Sequence, residues 1–173
     1  MSLFVVDVES DGPCPGIYSM VSFAAVKVSK DLDEHFYAET RPITDQFIPE
    51  ALAISCTSRE DHLTYPHPEK AMRDFAAWVL RSNSKGRPVF LSDNLAFDWQ
   101  WINYYFHRYV GKNPFGYSGR RIGDLWCGMM GNTFAKWKHL RDTPHDHNPL
   151  NDALGNAEAV IKMKDFGLKG IIL

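Results

Sequence analysis

Leu3-Phe4-Val5-Val6-Asp7-Val8-Glu9 runs from an apolar stretch into a pair of acids. A short run rich in β-branched residues suggests a buried strand. On a strand, residues two apart share a face. Asp7 and Glu9 would then aim two carboxylates at one spot, while Val6 and Val8 grip the core behind them. Two acids held that close repel each other unless a proton or a cation sits between them. Carboxylate oxygens suit hard divalent ions such as Mg²⁺ and Mn²⁺. The plain alternative is a strand end that emerges into solvent with both acids hydrated.

The surrounding chain limits the choices. Its 173 residues suffice for one domain, 1–173, with a real core. Hydrophobic residues make up 45% and charged ones 23%, the composition of a soluble globular protein. A formal net charge of -2 argues against binding nucleic acid through a large basic surface. It does not argue against a nuclease whose bound metals bring the positive charge. Cys14, Cys56 and Cys127 are widely spaced and form no Cys-x-x-Cys pair. This suggests a reducing compartment and no structural zinc. With no signal-like segment and no membrane-length apolar run, the expected location is cytoplasmic.

Turn formers fill Ser10 to Gly16, and strands are expected over 20–28 and 36–40. The short connections make these an antiparallel meander with the first strand. Segment 41–66 is less regular, with short helices expected over 48–54 and after Ser58, which with Asp61 resembles a capping box. Pro68 opens an amphipathic helix to residue 82. Residues 88–91 read as a strand parallel to the first, followed by a helix over 96–110. A short strand over 120–123 is expected next, then a helix capped by Asp124. The last helix should run over 149–164 with Asn148 as its N-cap. Strands first, then alternating helices and strands, imply an α/β mixed sheet flanked by helices.

Two further acids sit at helix starts. Asp98 lies in Asn94-Leu-Ala-Phe-Asp98, and Asp152 in His147-Asn-Pro-Leu-Asn-Asp152. Each alone reads as an acid favoured by a helix dipole. Sites in open α/β sheets form beyond the carboxyl ends of the strands, which permits all four acids to meet.

Together, Asp7-Val-Glu9, Asn94-Leu-Ala-Phe-Asp98 and His147-Asn-Pro-Leu-Asn-Asp152 resemble the DnaQ-like 3'–5' exonucleases of the DEDDh type, in order and separation, across nearly the whole chain. The resemblance implies an RNase H-like fold in which Asp7, Glu9, Asp98 and Asp152 hold two divalent metals, Mg²⁺ or Mn²⁺. It implies His147 as general base. It also implies 3' ends of single-stranded RNA or DNA as substrate and nucleoside 5'-monophosphates as product. The family usually has threonine where Ser10 stands, which bears on the contact to the terminal nucleotide. Pro149 stands where alanine is common.

The chemistry agrees with the residue types. Phosphodiester hydrolysis needs an activated water, a stabilised pentavalent charge and a neutralised leaving oxygen, and a metal pair can supply all three. Histidine is the side chain whose ordinary pKa suits a base near neutral pH. His145, in His145-Asp-His147, is a rival for that role. His145-Asp146 also resembles, thinly, the His-Asp pair of all-helical phosphohydrolases. Val8, Ser10, Asn94, Phe97 and Trp99 are the expected substrate contacts. Trp99 lies off the apolar helical stripe and could stack on a base, whereas Trp101 lies on the stripe and belongs to the core. Cys56 is expected to be buried. Two other functions remain open: an RNase H-type endonuclease, which would not need His147, and a binding module with a decayed site. A homodimer or a polymerase partner is also left open.

Overall fold

A computed structural model describes residues 1–170. Its strands are β1 (Leu3–Ser10), β2 (Met20–Lys27), β3 (His35–Glu39), β4 (Val89–Ser92) and β5 (Gly119–Arg121). They form one mixed sheet in the order β3-β2-β1-β4-β5. β1 lies at the centre, antiparallel to β2 with Val5 opposite Val26. It runs parallel to β4 with Phe4 opposite Phe90. β3 extends the antiparallel half and β5 the parallel half. This is the expected meander plus parallel strands.

Helices cover both faces, so β1 needs apolar residues on both sides. Phe4, Val6 and Val8 pack with Met72, Phe75 and Val79 of α3 (Pro68–Ser82) and with Trp101, Ile102 and Phe106 of α4 (Leu95–Tyr109). Val5 faces the other way, toward Leu91 and toward Ala153, Ala157 and Val160 of α6 (Pro149–Lys162). Each such buried Val or Phe contributes about 1.5–3 kcal/mol. Ala153 and Ala157 are fully buried, and their small side chains let α6 lie close over the sheet. That closeness brings Asp152, in the first turn of α6, to the acids of β1. The β1–β2 register shifts between Glu9 and Ser10, so regular pairing ends as the strand delivers its second acid.

Between β3 and α3 lie α1 (Pro49–Ile54) and α2 (Arg59–Thr64). Ser58 caps α2: its Oγ accepts from the Asp61 N–H at 3.0 Å and donates to Asp61 Oδ2 at 2.7 Å. A buried polar knot ties this segment to the end of β1. Asp11 is fully buried; it accepts from the Ser19 N–H at 2.5 Å and from Arg59 Nη1 at 3.0 Å. Arg59 also donates to the Thr44 carbonyl at 3.0 Å. The His62 Nε2 sits 3.0 Å from the Thr40 carbonyl and 3.3 Å from that of Met20. Burial first, and then Arg59, push His62 down to about 4, so it is neutral at pH 7 and its ring N–H serves these carbonyls. None of this knot is readable from local pattern.

Two expectations are corrected. Cys56 is exposed, because it occupies a left-handed turn (φ 52°) that faces it outward after α1. Asp124 does not cap the helix after β5. That helix, α5 (Ile122–Met130), is entered through Arg121, and Asp124 sits inside its first turn, accepting from Arg121 Nη1 at 2.9 Å. β5 accordingly ends at Arg121 rather than Gly123. The last α-helix ends at Lys162 and passes into a 3₁₀ turn over Met163–Phe166. Among the described residues, no helix is long and apolar enough to cross a membrane.

Candidate active site

β1, α4 and α6 bring the four acids to one end of the sheet. Oxygens of Asp7, Glu9 and Asp152 all lie within 4.8 Å of one another. Asp98 is anchored on β1, its Oδ1 accepting the Val8 N–H at 3.2 Å. It faces Asp7 closely enough to be the largest charge acting on that group. Asp7, Glu9 and Asp98 line a cleft of about 550 Å³ whose lining also includes the apolar Pro13, Ile48, Ala51, Ile54 and Phe97.

The electrostatics of this cluster are unfavourable without a counter-charge. Burial, then Asp98, Glu9 and Asp152, hold Asp7 well above the usual carboxylate range. Glu9 is pushed up to about 8 by burial and then by Asp152. Burial also raises Asp98, against the stabilising hydrogen bond from Val8. One oxygen of Asp152 is fully engaged, 2.9 Å from Arg141 Nη2 and 2.6 Å from His145 Nδ1. Its other oxygen, Oδ2, is buried with no hydrogen-bond partner among the described residues. A buried, unpartnered carboxylate oxygen beside two more carboxylates is the donor set of a hard cation. The residues present therefore fit the divalent metals that the sequence pattern implies.

His147 reaches the same cleft from the loop before α6, its Nδ1 3.9 Å from Glu9 Oε1 and its side chain 46% exposed. Its backbone is left-handed (φ 60°), which disfavours a non-glycine residue by about 1 kcal/mol or more. His145 lines the cleft too, its ring centroid 4.4 Å from that of His147. Both histidines stand close to Asp152, His145 at 2.6 Å and His147 within 4.8 Å, and His147 also faces Glu9.

The expected substrate contacts are placed unevenly. Asn94 and Phe97 line the cleft, as do Val8 and Ser10. Val8 buries its side chain in the core and donates its N–H to Asp98. The Ser10 hydroxyl is turned inward, donating to the Gly12 carbonyl at 2.7 Å. Trp99 does not line the cleft; it packs edge-on against Phe90 at 5.1 Å, because its helical position faces β4.

Sequence pattern missed Arg141. Its side chain is 6% exposed. Besides Asp152 it serves the carbonyls of Thr143 and Pro144 at 3.2 and 3.3 Å and Asn156 Oδ1 at 3.2 Å. Gly155 makes the room: a Cβ there would lie 2.6 Å from Arg141 Nε and from the Thr143 carbonyl. One guanidinium thus ties Asp152 to the stem of the loop that carries both histidines.

A mixed sheet of this order, with an acid cluster at the carboxyl end of its central strand, is the RNase H-like arrangement. No family model matches the chain. The chain is 36% identical over 165 residues to the 3'–5' DNA exonuclease Cap18 of Escherichia coli, a match covering 88% of this chain and 86% of that protein. Among solved structures, cell-death related nuclease 4 superposes with a TM-score of 0.76 at 14% identity, over 96% of this chain and 64% of that one. The nuclease domain of 3'hExo, a DEDDh family member bound to rAMP, gives 0.74 at 13%, over 96% and 92%. E. coli Exonuclease I in complex with a dA16 oligonucleotide gives 0.69 at 17%, over 95% and 41%. The chain spans less than two thirds of nuclease 4 and less than half of Exonuclease I. At these identities the structural likeness is one of fold. The chain belongs to the DnaQ-like 3'–5' exonucleases of the DEDDh type. It is a 3'–5' exonuclease.

Proposed function

We propose that one domain, 1–173, removes nucleoside 5'-monophosphates from 3' ends of single-stranded DNA with the help of two divalent cations, Mg²⁺ or Mn²⁺. The observation that carries this reading is the convergence of Asp7, Glu9 and Asp152, with Oδ2 of Asp152 left unpartnered. DNA is preferred over RNA because the 36%-identical relative is a DNA exonuclease. Asp7, Glu9, Asp98 and Asp152 would hold the cations. When bound, the metals supply Lewis acidity for the attacking water and charge for the in-line displacement. His147 takes the water's proton; nearly half exposed, it passes that proton on to solvent. His145 and Arg141 fix one oxygen of Asp152 and so direct the other inward. The apolar wall of Ile48, Ala51, Ile54 and Phe97 offers a dry face to the terminal base.

The proposed ligands all come from one copy, so a homodimer would leave the site intact. Three free cysteines agree with a reducing, cytoplasmic setting. The test is a 5'-labelled DNA strand and its RNA counterpart incubated with Mg²⁺ or Mn²⁺. A stepwise 3'-shortening ladder on DNA is expected, lost in Asp7→Ala and strongly slowed in His147→Ala. A circular strand should survive. Cleavage of the circle would replace the exonuclease reading by an endonuclease, and a faster RNA ladder would overturn the DNA assignment.

A further inference from the structure

A second cavity, about 560 Å³, opens beside the catalytic cleft and shares Asp93, Asn94 and Lys138 with it. Arg121, Phe134 and Lys136 complete its functional lining. We propose that this groove binds the nucleotides of single-stranded DNA that lie 5' to the scissile bond, with Phe134 as a stacking platform and Lys136 and Lys138 on phosphates. The inference rests on the reading of the cleft as a DNA 3'-end site.

Phe134 is 88% exposed, yet its loop is tied down. The Phe134 N–H donates to Asn132 Oδ1 at 2.9 Å, and the Asn132 N–H donates to the Cys127 carbonyl at 3.1 Å. Cys127 Sγ donates toward the Thr133 carbonyl at 3.3 Å. An aromatic ring held out in water by a braced loop is prepared to stack, because little ordering remains to be done on binding. The charges beside it differ in availability. Arg121 is paired with Asp124 at 2.9 Å and Lys138 with Asp93 at 2.8 Å. Lys136 has no carboxylate partner among the described residues. In a chain of net charge -2, Lys136, two further cations each paired with one acid, and one exposed ring around a groove that opens into the acid cleft make a local match to a phosphodiester strand. Aromatic stacking with scattered phosphate contacts predicts binding without base preference.

The experiment measures fluorescence anisotropy of a 5'-labelled 12-mer in Ca²⁺, for wild type, Phe134→Ala, Phe134→Tyr and Lys136→Ala, alongside the cleavage ladder in Mg²⁺. Loss of the ring should raise Kd about tenfold, and Phe134→Tyr should restore it. Lys136→Ala should lower the slope of log Kd against log salt by about 0.7. Unchanged Kd and salt slope in these variants overturn the groove, even if wild type yields a ladder. Binding through Phe134 with no ladder in wild type supports the groove and overturns the exonuclease reading of this cleft. Both positions are exposed, so thermal melts of the variants should match wild type; Lys136→Ala keeps the test open if Phe134→Ala fails to fold.

Discussion

Arg141→Met keeps the side chain's bulk and removes its charge. In the native chain this guanidinium donates to Asp152 at 2.9 Å, to Asn156 at 3.2 Å and to two loop carbonyls. Both partners of the ion pair are buried, at 6% and 1% exposure. Removing one member of a buried pair costs about 3–5 kcal/mol, and only the half-exposed His145 is left beside this oxygen of Asp152. For a chain of this size each kcal/mol moves Tm by about 2–4 °C, so the metal-free variant should melt about 6–20 °C below wild type. Divalent cation gives Asp152 a new counter-charge, so the deficit should shrink when Mn²⁺ replaces EDTA. The assay is a thermal melt of both proteins in EDTA and in Mn²⁺, with exonuclease rate measured at several Mn²⁺ concentrations. The loop carrying His147 also loses two anchors, so kcat should fall at saturating metal. A variant within about 0.5 kcal/mol of wild type in EDTA would refute the reasoning, since that is the range of a surface substitution.

Gly155→Ala reaches the same device from behind. Its Cβ would press on Arg141 Nε and on the Thr143 carbonyl at 2.6 Å. A loss of about 1–3 kcal/mol in a melt is expected, with a raised Mn²⁺ requirement. Glu9→Gln removes a carboxyl whose ionised form burial and Asp152 disfavour, so the metal-free protein should melt at or above the wild-type temperature while activity collapses; a lower Tm would contradict the unfavourable electrostatics described for Glu9. In EDTA, stability should fall between pH 6.5 and 8. Glu9 is raised from 4.5 to about 8, so over that window the folded chain keeps a proton that the unfolded chain has released. Below pH 6.5, His62 acts in the opposite sense: depressed to about 4, it favours the unfolded state as acid is added. Between pH 4.5 and 6.5 Glu9 offsets His62, so melts at half-unit pH steps should show Tm falling most steeply between pH 6.5 and 8, and a curve rising steadily to pH 8 would be the contrary result.

What could be read in advance followed from local pattern. The β1 run announced itself because a strand buried on both faces must be continuously apolar, and its acids stand where the run stops. Asp98 and Asp152 were legible through helix starts placed beyond strand ends. The histidine loop was legible only as a pair of candidates, because two residues in one turn cannot be told apart without the contacts to Glu9 and Asp152. Arg59 and Arg141 left no trace in periodicity: each finds its acid across the fold, at positions set by tertiary packing. Trp99 misled for a related reason. A helix lying across a sheet buries a wider arc than its main apolar stripe, and β4 covered the ring. Cys56 and Asp124 depended on turn geometry, a left-handed residue and a helix entered one turn early, which composition does not specify.

The central claim is that Asp7, Glu9, Asp98 and Asp152 together hold divalent cations with His147 beside them. A crystal soaked with Mn²⁺ and a deoxynucleoside 5'-monophosphate, measured at the manganese absorption edge, tests it directly. Two anomalous peaks bracketed by these four carboxylates, with His147 facing the phosphate, are the result expected. Peaks elsewhere, or Asp98 and Asp152 both out of contact with any ion, would contradict it.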